Sequence, residues 1–491
     1  MSRRLSQALW VLMTLSCVLF AVMAAEFYVV TVTHSVPTYA RLLAVTVSED
    51  FAYGPESGFA QLTPYWRSMP AFNQVILGGH ALLASIALAV GPFQFVPAFR
   101  NKWPKLHKLG GRLYVFTALP AMALSFVYLA ITPMFRIYGG APFYVGLMGI
   151  AFMATYTLLA AWGHIMRGEV VAHRVIMVLN FAVMLIAPLL RFWWMFLGWL
   201  YVDIALDQAT THVAVLMFLA LQVMVGAIVV VHLQAASLQG PRSAPIVRAG
   251  NWAKSRLIPS LPILQIAGLS AGMAMAYGVL ITLGAPDPLA AFRDPFLAGR
   301  DLTVYQTHAG FLWLRTLGLL GVFISFPVLV RRQFEQGTTG GHATGFFGGS
   351  LVLAVVGWLG SAHGYGAVGV GGLGASTYWS ALAVAVLTLG SFWLHAVWNR
   401  RLRASRELTL HLYMLAWAPV TQGLLQWGFL WLGFTWEDAF LSAAVMAPPV
   451  NLSVSYYYTV YGARSAANVG LAADLVDRPG RFDLGGRQAF G

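Results

Sequence analysis

Twelve apolar runs, each long enough to cross a lipid bilayer, follow one another along this chain of 491 residues. A helix needs roughly 20 residues to cross about 30 Å of hydrocarbon, since each residue adds about 1.5 Å. The runs are continuous and do not alternate between apolar and polar residues, which favours helices over β-barrel strands. The predicted spans are residues 8–32, 72–99, 112–134, 143–166, 174–199, 211–235, 260–284, 303–330, 345–363, 377–398, 409–434 and 440–461. The predicted fold class is therefore an all-α polytopic membrane protein of about 12 transmembrane helices.

The composition agrees with a membrane environment. Apolar residues make up 59% of the chain and charged residues 10%, whereas soluble proteins carry about 25% charged residues. The net charge of +13 would indicate nucleic-acid binding in a soluble protein. Here the basic residues lie beside apolar spans, so they are better explained by membrane orientation and by anionic lipid at the cytoplasmic face. We therefore expect the lipid bilayer as a partner and no nucleic acid, and the sequence indicates no protein partner.

The basic residues fall into alternate connections between spans. The connections after the second, fourth, sixth, eighth and tenth spans are basic, and the intervening ones carry most of the acidic residues. The clearest basic connection reads RNKWPKLHKLGGR and begins at Arg100. Because Lys and Arg accumulate on the cytoplasmic side of a membrane, both termini are predicted to be cytoplasmic.

The two halves of the chain resemble each other. Each holds six spans, so a duplicated half would keep its orientation, as in parallel repeats. Histidines recur at matching places, in the pairs His80 and His308, His107 and His342, and His173 and His411. The predicted units are a first six-helix repeat (1–236), a basic cytoplasmic linker (237–259), a second, diverged six-helix repeat (260–463) and a flexible cytoplasmic tail (464–491).

Three segments of the first half carry a family resemblance. They read GGHALLASIALAVGPFQF, LHKLGGRLYVF and AHRVIMVLNFAVMLIAPLLRFWWMF. Together they resemble the bacterial membrane family named domain of unknown function 2306, over about residues 72–235. The resemblance implies an architecture, a bacterial inner (cytoplasmic) membrane location and candidate positions, but no activity. Those positions are His80, His107, Arg112, His173 and Arg191. The second half lacks basic counterparts of both arginines, so a duplicate would have lost part of the site.

Three histidines are predicted to meet at the cytoplasmic face. His107 and His173 begin the third and fifth spans, and His164 ends the fourth. Two neutral imidazoles from different helices can ligate a b-type haem, and three can hold a metal ion. Arg112 and Lys108 can then neutralise haem propionates or a lipid phosphate. The alternative, which stays open here, is that these histidines cap helices and bind loops.

His80 is predicted to lie in the outer half of the membrane. It stands twenty residues before Arg100, about 30 Å along a helix, and so too far from His107 to share its site. With His212 it can form a second haem site. Alone it can accept a proton or bind a quinol, a role that His308 would repeat. The alternative is a structural interhelical hydrogen bond.

Three charged residues lie inside apolar runs, where charges are costly and face a partner or water. Glu26 and Arg191 both lie toward the outer side, and we predict that they pair. Arg315 follows His308 by seven residues on the same helix face. A structural ion pair, an anion site and a quinone head-group site are open interpretations for Arg315.

The sequence supports three classes of function. The favoured one is a redox carrier with haem b or a metal ion that exchanges electrons with quinone, since histidines recur and carboxylates are few. A twelve-helix transporter or flippase is the second, because two parallel halves and proline-interrupted spans are typical of transporters. A non-catalytic membrane subunit of a larger complex is the third. Cys17 is the only cysteine, which excludes disulfides within the chain and iron–sulfur clusters held by cysteines. Whether the protein is an enzyme is not indicated.

Overall fold

The computed structural model describes residues 3–32, 38–54, 66, 68–137, 140–168, 170–200, 295–335, 341–367 and 373–457. Within these ranges every regular element is a helix. The helices are α1 (Arg3–Val32), α2 (Thr38–Thr46), α3 (Glu49–Tyr53), α4 (Ala71–Gln94), α5 (Pro97–Lys102), α6 (Pro104–Ile131), α7 (Gly140–Met166), α8 (Val170–Met184), α9 (Ile186–Leu200), α10 (Pro295–Glu335), α11 (His342–Ala367), α12 (Leu373–Trp398), α13 (Leu402–Ala416), α14 (Ala418–Trp431) and α15 (Trp436–Tyr457). The predicted spans 211–235 and 260–284, the linker and the tail lie outside the described residues.

The described helices confirm an all-helical polytopic membrane protein, whose environment is a lipid bilayer. Six of them are long and apolar enough to cross a membrane, namely α4, α6, α7, part of α10, α11 and α12. Helices α8 and α9 together form a seventh candidate that is bent by 43°. The total of twelve spans, the parallel repeat and the cytoplasmic termini stay predictions.

Two predicted spans divide into two helices at a single residue. The span predicted at 174–199 divides into α8 and α9 at Leu185, and that at 409–434 divides into α13 and α14 at Trp417. Pro188 and Pro419 lie in the first turn of α9 and α14. Proline has no N–H to donate to the preceding turn and its ring clashes there, so each proline favours a new helix start.

The HKLGGR segment belongs to a helix. We expected the third span to begin at residue 112, but α6 begins at Pro104, in the first turn where proline is tolerated. The two glycines lie against Gln94 at the end of α4: a Cβ atom on Gly110 would lie 2.5 Å from its Nε2, and one on Gly111 3.5 Å from its Oε1. Their role in the structure is therefore close helix packing, and no glycine turn is formed here.

Neighbouring helices pack in series in both halves. In the first half, α4 packs on α6, α6 on α7 and α7 on α8; in the second, α10 packs on α11, α11 on α12 and α12 on α13. The halves meet through α7 and α15, where the Met446 Sδ would lie 2.7 Å from a Cβ atom on Gly149. One buried apolar cluster joins residues of both halves, so the described helices share a core.

Candidate functional site at the basic ends of three helices

The structure brings three predicted histidines to the same end of three neighbouring helices. His107 and His173 are each the fourth residue of their helices, α6 and α8, and His164 lies in the last turn of α7. This end of the bundle is the one where Arg100, Arg167 and Arg174 lie, and it is called the basic side below.

A buried hydrogen-bond network joins these three helices. It consists of Tyr114, Asn180, Thr157 and the Ala154 carbonyl and is called the clamp below. The Tyr114 hydroxyl of α6 donates to the Asn180 Oδ1 of α8 at 2.7 Å. The Asn180 Nδ2 donates in turn to the Ala154 carbonyl oxygen at 2.8 Å and to the Thr157 Oγ1 at 2.9 Å, both on α7. Tyr114 and Asn180 are each 1% exposed. Because the network is closed to water, it holds the three helices in one relative rotation.

Each histidine lies seven residues from one member of this clamp. Tyr114 follows His107 by seven residues, Asn180 follows His173 by seven, and Thr157 precedes His164 by seven. Seven residues are close to two helical turns and span about 10 Å. Since the clamp faces the interior between α6, α7 and α8, the three imidazoles lie on the same interior faces, two turns nearer the basic side.

His173 has the orientation of a ligating histidine. Its Nδ1 lies 3.0 Å from the Ala161 carbonyl oxygen; a carbonyl only accepts, so Nδ1 carries the proton and Nε2 keeps its lone pair. Burial lowers the pKa of His173 below its ordinary value, His164 and Arg174 lower it further, and the hydrogen bond to Ala161 opposes this. The ring is therefore neutral at pH 7, which is the form that binds metals.

His164 differs from His173 in its proton arrangement. Its Nδ1 lies 3.1 Å from the Arg167 Nη2; arginine has no acceptor, so Nδ1 holds the lone pair and Nε2 carries the proton of the neutral ring. A protonated Nε2 cannot ligate a metal. The residues that the structure describes also contain no group of three or more His, Cys, Asp or Glu placed to hold a metal ion. The predicted metal site of His107, His164 and His173 stays a prediction.

His107 is half-buried beside His173 and two arginines. Arg100, His173 and Arg174 all interact with it electrostatically. Its Nδ1 is buried and has no hydrogen-bond partner among the described residues. The Nδ1 of His107 therefore keeps unused hydrogen-bonding capacity within the described part of the chain.

Arg100 and Arg174 supply the positive charge next to these rings. Burial lowers the pKa of Arg100, and repulsion from Arg174 lowers it further. Neither guanidinium has an ion-pair partner within the described ranges. Arg112, predicted as the neutralising cation, is exposed, as is Lys108. The arginines next to the site were therefore not those that the resemblance indicated, although Arg174 directly follows His173 in sequence.

His80 lies apart from this site. Its Nδ1 is 2.7 Å from the Ala121 carbonyl oxygen of α6, so Nδ1 donates and Nε2 keeps its lone pair, as in His173. Ala121 lies 14 residues along α6 from His107, about 21 Å. The two rings are thus separate, in keeping with the prediction from their spacing along the chain.

The other predicted histidines are not brought to one place. His212 lies outside the described residues, and His308 lies in α10 with its side chain outside the described part. His342 is exposed at the start of α11. His411 is 1% exposed, and its Nδ1 lies 2.7 Å from the Ser455 Oγ. The partners of His411 therefore differ from those of His173, its predicted counterpart.

The predicted intramembrane charges Glu26 and Arg191 both contact described residues. The Glu26 carboxylate accepts hydrogen bonds from the backbone and hydroxyl of Thr38 at 3.2 and 2.6 Å. The Arg191 guanidinium lies 5.2 Å from the Phe20 ring centroid and 5.9 Å from that of Trp194. Phe20 precedes Glu26 by six residues, about 9 Å along the axis of α1. The predicted Glu26–Arg191 pair is not among the described contacts of these side chains.

The sequence interpretation missed the clamp, although the chain contains a signal for it. Tyr114, Thr157 and Asn180 are polar residues inside apolar runs, each two turns from a histidine. Buried polar groups in a membrane require partners, so three of them at one depth indicate a shared network. Because each lies at the same spacing from a histidine, the sequence could have predicted which sides of the three helices face one another.

Comparison with known proteins supports a membrane role for this part of the chain. Residues 77–231 match the family model described as Predicted membrane protein (DUF2306). The comparison with curated proteins found no match, and neither did the comparison with solved structures. The family match lies in the first half, and the diverged second copy stays a prediction. Over the segment that carries the histidine site, the chain is therefore similar to the predicted membrane proteins of the DUF2306 family.

Proposed function

We propose that this integral membrane protein is a redox carrier in which His107 and His173 ligate a b-type haem at the basic side. The observation that carries the proposal is that His107 on α6 and His173 on α8 lie at the same end of the bundle and interact electrostatically. One of them has its Nδ1 proton held by the Ala161 carbonyl and is neutral at pH 7. Haem-ligating histidines use the same arrangement, because the outer hydrogen bond fixes the ring and raises its basicity.

The surroundings fit the charge of a haem. Its two propionates require cations, and Arg100 and Arg174 lie beside the rings without an ion-pair partner in the described part of the chain. Charge-assisted hydrogen bonds from arginine to a carboxylate are strong and directional. A bound haem would supply one-electron exchange, for which membrane quinone is the proposed partner. The polypeptide holds the ring spacing through the Tyr114–Asn180 hydrogen bond and supplies the counter-charges.

The absorption spectrum of the purified protein, before and after dithionite, tests the proposal. We expect the reduced bands of a b-type haem, and their loss in His107→Ala and in His173→Ala. His164→Ala is the matched control, since its Nε2 carries a proton and the bands should persist. A protein expressed with sufficient haem that shows no chromophore would refute the proposal. Loss of the bands only in His164→Ala would refute the ligand assignment.

One observation favours a transporter or flippase as a second candidate. The α8–α9 span is bent by 43° next to Pro188, and broken helices line ligand cavities in many transporters. Reconstitution into liposomes with fluorescent lipid, and comparison with Pro188→Ala, tests this function. Lipid movement that the variant abolishes would support it, and equal rates with and without protein would exclude lipid flipping.

A further inference from the structure

A second group of polar residues, unrelated to the histidine site, lies between α10 and α12. The Arg315 guanidinium of α10 lies 4.6 Å from the centroid of the Trp379 ring on α12. It also interacts electrostatically with the hydroxyl of Tyr378. Helix α11 packs closely on α10 here, because Gly357 has no Cβ atom and lets its backbone approach the Arg315 backbone nitrogen. Arg315, Tyr378 and Trp379 are called the Arg315 cluster below.

The Arg315 cluster contains hydrogen-bond donors without acceptors. Tyr378 is 1% exposed and Trp379 6% exposed. The Tyr378 hydroxyl and the Trp379 Nε1 are buried and have no hydrogen-bond partner among the described residues. Arg315 has no ion-pair partner in the same ranges. A buried donor left unmatched costs about 1–3 kcal/mol, and a cation needs a counter-charge, so the cluster lacks an oxygen-bearing anion.

The cluster lies in the apolar part of α10 and near the start of α12. Arg315 lies inside the apolar run predicted at 303–330. Tyr378 and Trp379 are five and six residues after Leu373, the first residue of α12, which is about 8–9 Å along the helix.

We propose that the Arg315 cluster binds a phosphate group, with Arg315 supplying the charge and the Tyr378 hydroxyl and the Trp379 Nε1 donating to its oxygens. A phosphate offers several acceptor oxygens at once, which suits a cation with two unpartnered donors next to it. The phosphate belongs either to a lipid head group or to a free phosphate ion, because the two present the same oxygens.

The test measures binding to the full chain in detergent. Native mass spectrometry with dioleoylphosphatidylglycerol gives the affinity for the lipid, and calorimetry with sodium phosphate gives that for the free ion. Arg315→Gln and Tyr378→Phe should each weaken binding, Arg315→Gln by about tenfold or more. Arg136→Gln is the matched control, since Arg136 is an exposed arginine in the turn that follows α6 at the same side, and it should bind as the wild type does.

The outcomes separate the two sources and can overturn the proposal. Weakened lipid binding alone assigns a head group, and weakened binding of both probes assigns the phosphate itself. Equal affinities in Arg315→Gln, Tyr378→Phe and Arg136→Gln would overturn the proposal. So would a Tyr378→Phe protein that is more stable than wild type to the same extent with and without phosphate, because the hydroxyl would then be an unoccupied donor. Binding of a quinone analogue but of neither phosphate probe would also overturn it.

Discussion

The clamp between α6, α7 and α8 allows a quantitative prediction. Asn180→Leu keeps a side chain of similar size but removes one acceptor and two donated hydrogen bonds. Interhelical hydrogen bonds in membrane proteins contribute about 0.6 kcal/mol on average and at most about 1.7 kcal/mol. We therefore expect Asn180→Leu to lower the free energy of unfolding by about 2 kcal/mol. The Tyr114 hydroxyl, left buried without its acceptor, adds to the loss.

A double-mutant cycle isolates the central bond. Tyr114→Phe should cost about 0.6–1.7 kcal/mol, because it leaves the Asn180 Oδ1 without its donor. The double variant should cost less than the sum of the two single variants, since Tyr114→Phe also removes the orphaned hydroxyl that Asn180→Leu creates. Thr155→Val is the control, because the Thr155 hydroxyl donates only to the Ala151 carbonyl of its own helix.

Unfolding in mixed micelles of detergent and dodecyl sulfate, followed by circular dichroism, measures these energies. Thr155→Val should change the midpoint least of all the variants. If Tyr114→Phe and Asn180→Leu were additive, or if neither were less stable than Thr155→Val, the clamp would not hold the helices as described. The interior placement of the histidine faces would then lose its support.

Two further predictions concern helix packing and the repulsion between arginines. Gly357→Ala should lower the unfolding free energy by roughly 1–3 kcal/mol, because its Cβ atom would overlap the Arg315 backbone nitrogen. Gly349→Ala on the same helix has nothing within 4 Å and should be neutral or stabilising; equal effects in the same micelle assay would contradict the packing. In protein purified without cofactor, Arg100→Gln should raise the free energy of unfolding at low salt by roughly 0.5 kcal/mol, which is seen as a higher melting temperature. This gain should fade at high salt, since Arg100 and Arg174 repel each other through a screened interaction. A gain that salt does not change, or a loss, would contradict this explanation.

Most described spans could be predicted from the sequence, and the positions of their ends were the main errors. The run predicted at 72–99 corresponds to Ala71–Gln94, and that at 143–166 to Gly140–Met166. The basic residues before residue 112 predicted a loop between two spans. In the structure, α6 already begins at Pro104 and includes these residues from Lys105 onward. The interruption of the fifth span was predicted from Pro188, and the structure places the break at Leu185, three residues before this proline.

The candidate site was predictable in position but not in chemistry. The sequence placed His107, His164 and His173 at one level, since each lies at the same end of an apolar run. It could not predict which ring nitrogen of each histidine carries the proton, because that depends on the atoms next to each ring. The His173 Nδ1 donates to the Ala161 carbonyl oxygen, and the Arg167 guanidinium donates to the His164 Nδ1. Those contacts depend on side-chain direction and helix rotation, which spacing along the chain does not specify.

The sequence by itself determined the lipid environment of this protein and its helical class. Burial in lipid is nearly a sum of residue contributions along a helix, so a local pattern is sufficient for it. The tertiary structure alone decided which helix faces meet, because Tyr114 and Asn180 are 66 residues apart. It also left donors without acceptors around Arg315. Such contacts depend on the rotation and approach of whole helices, and those are set by packing across the entire bundle.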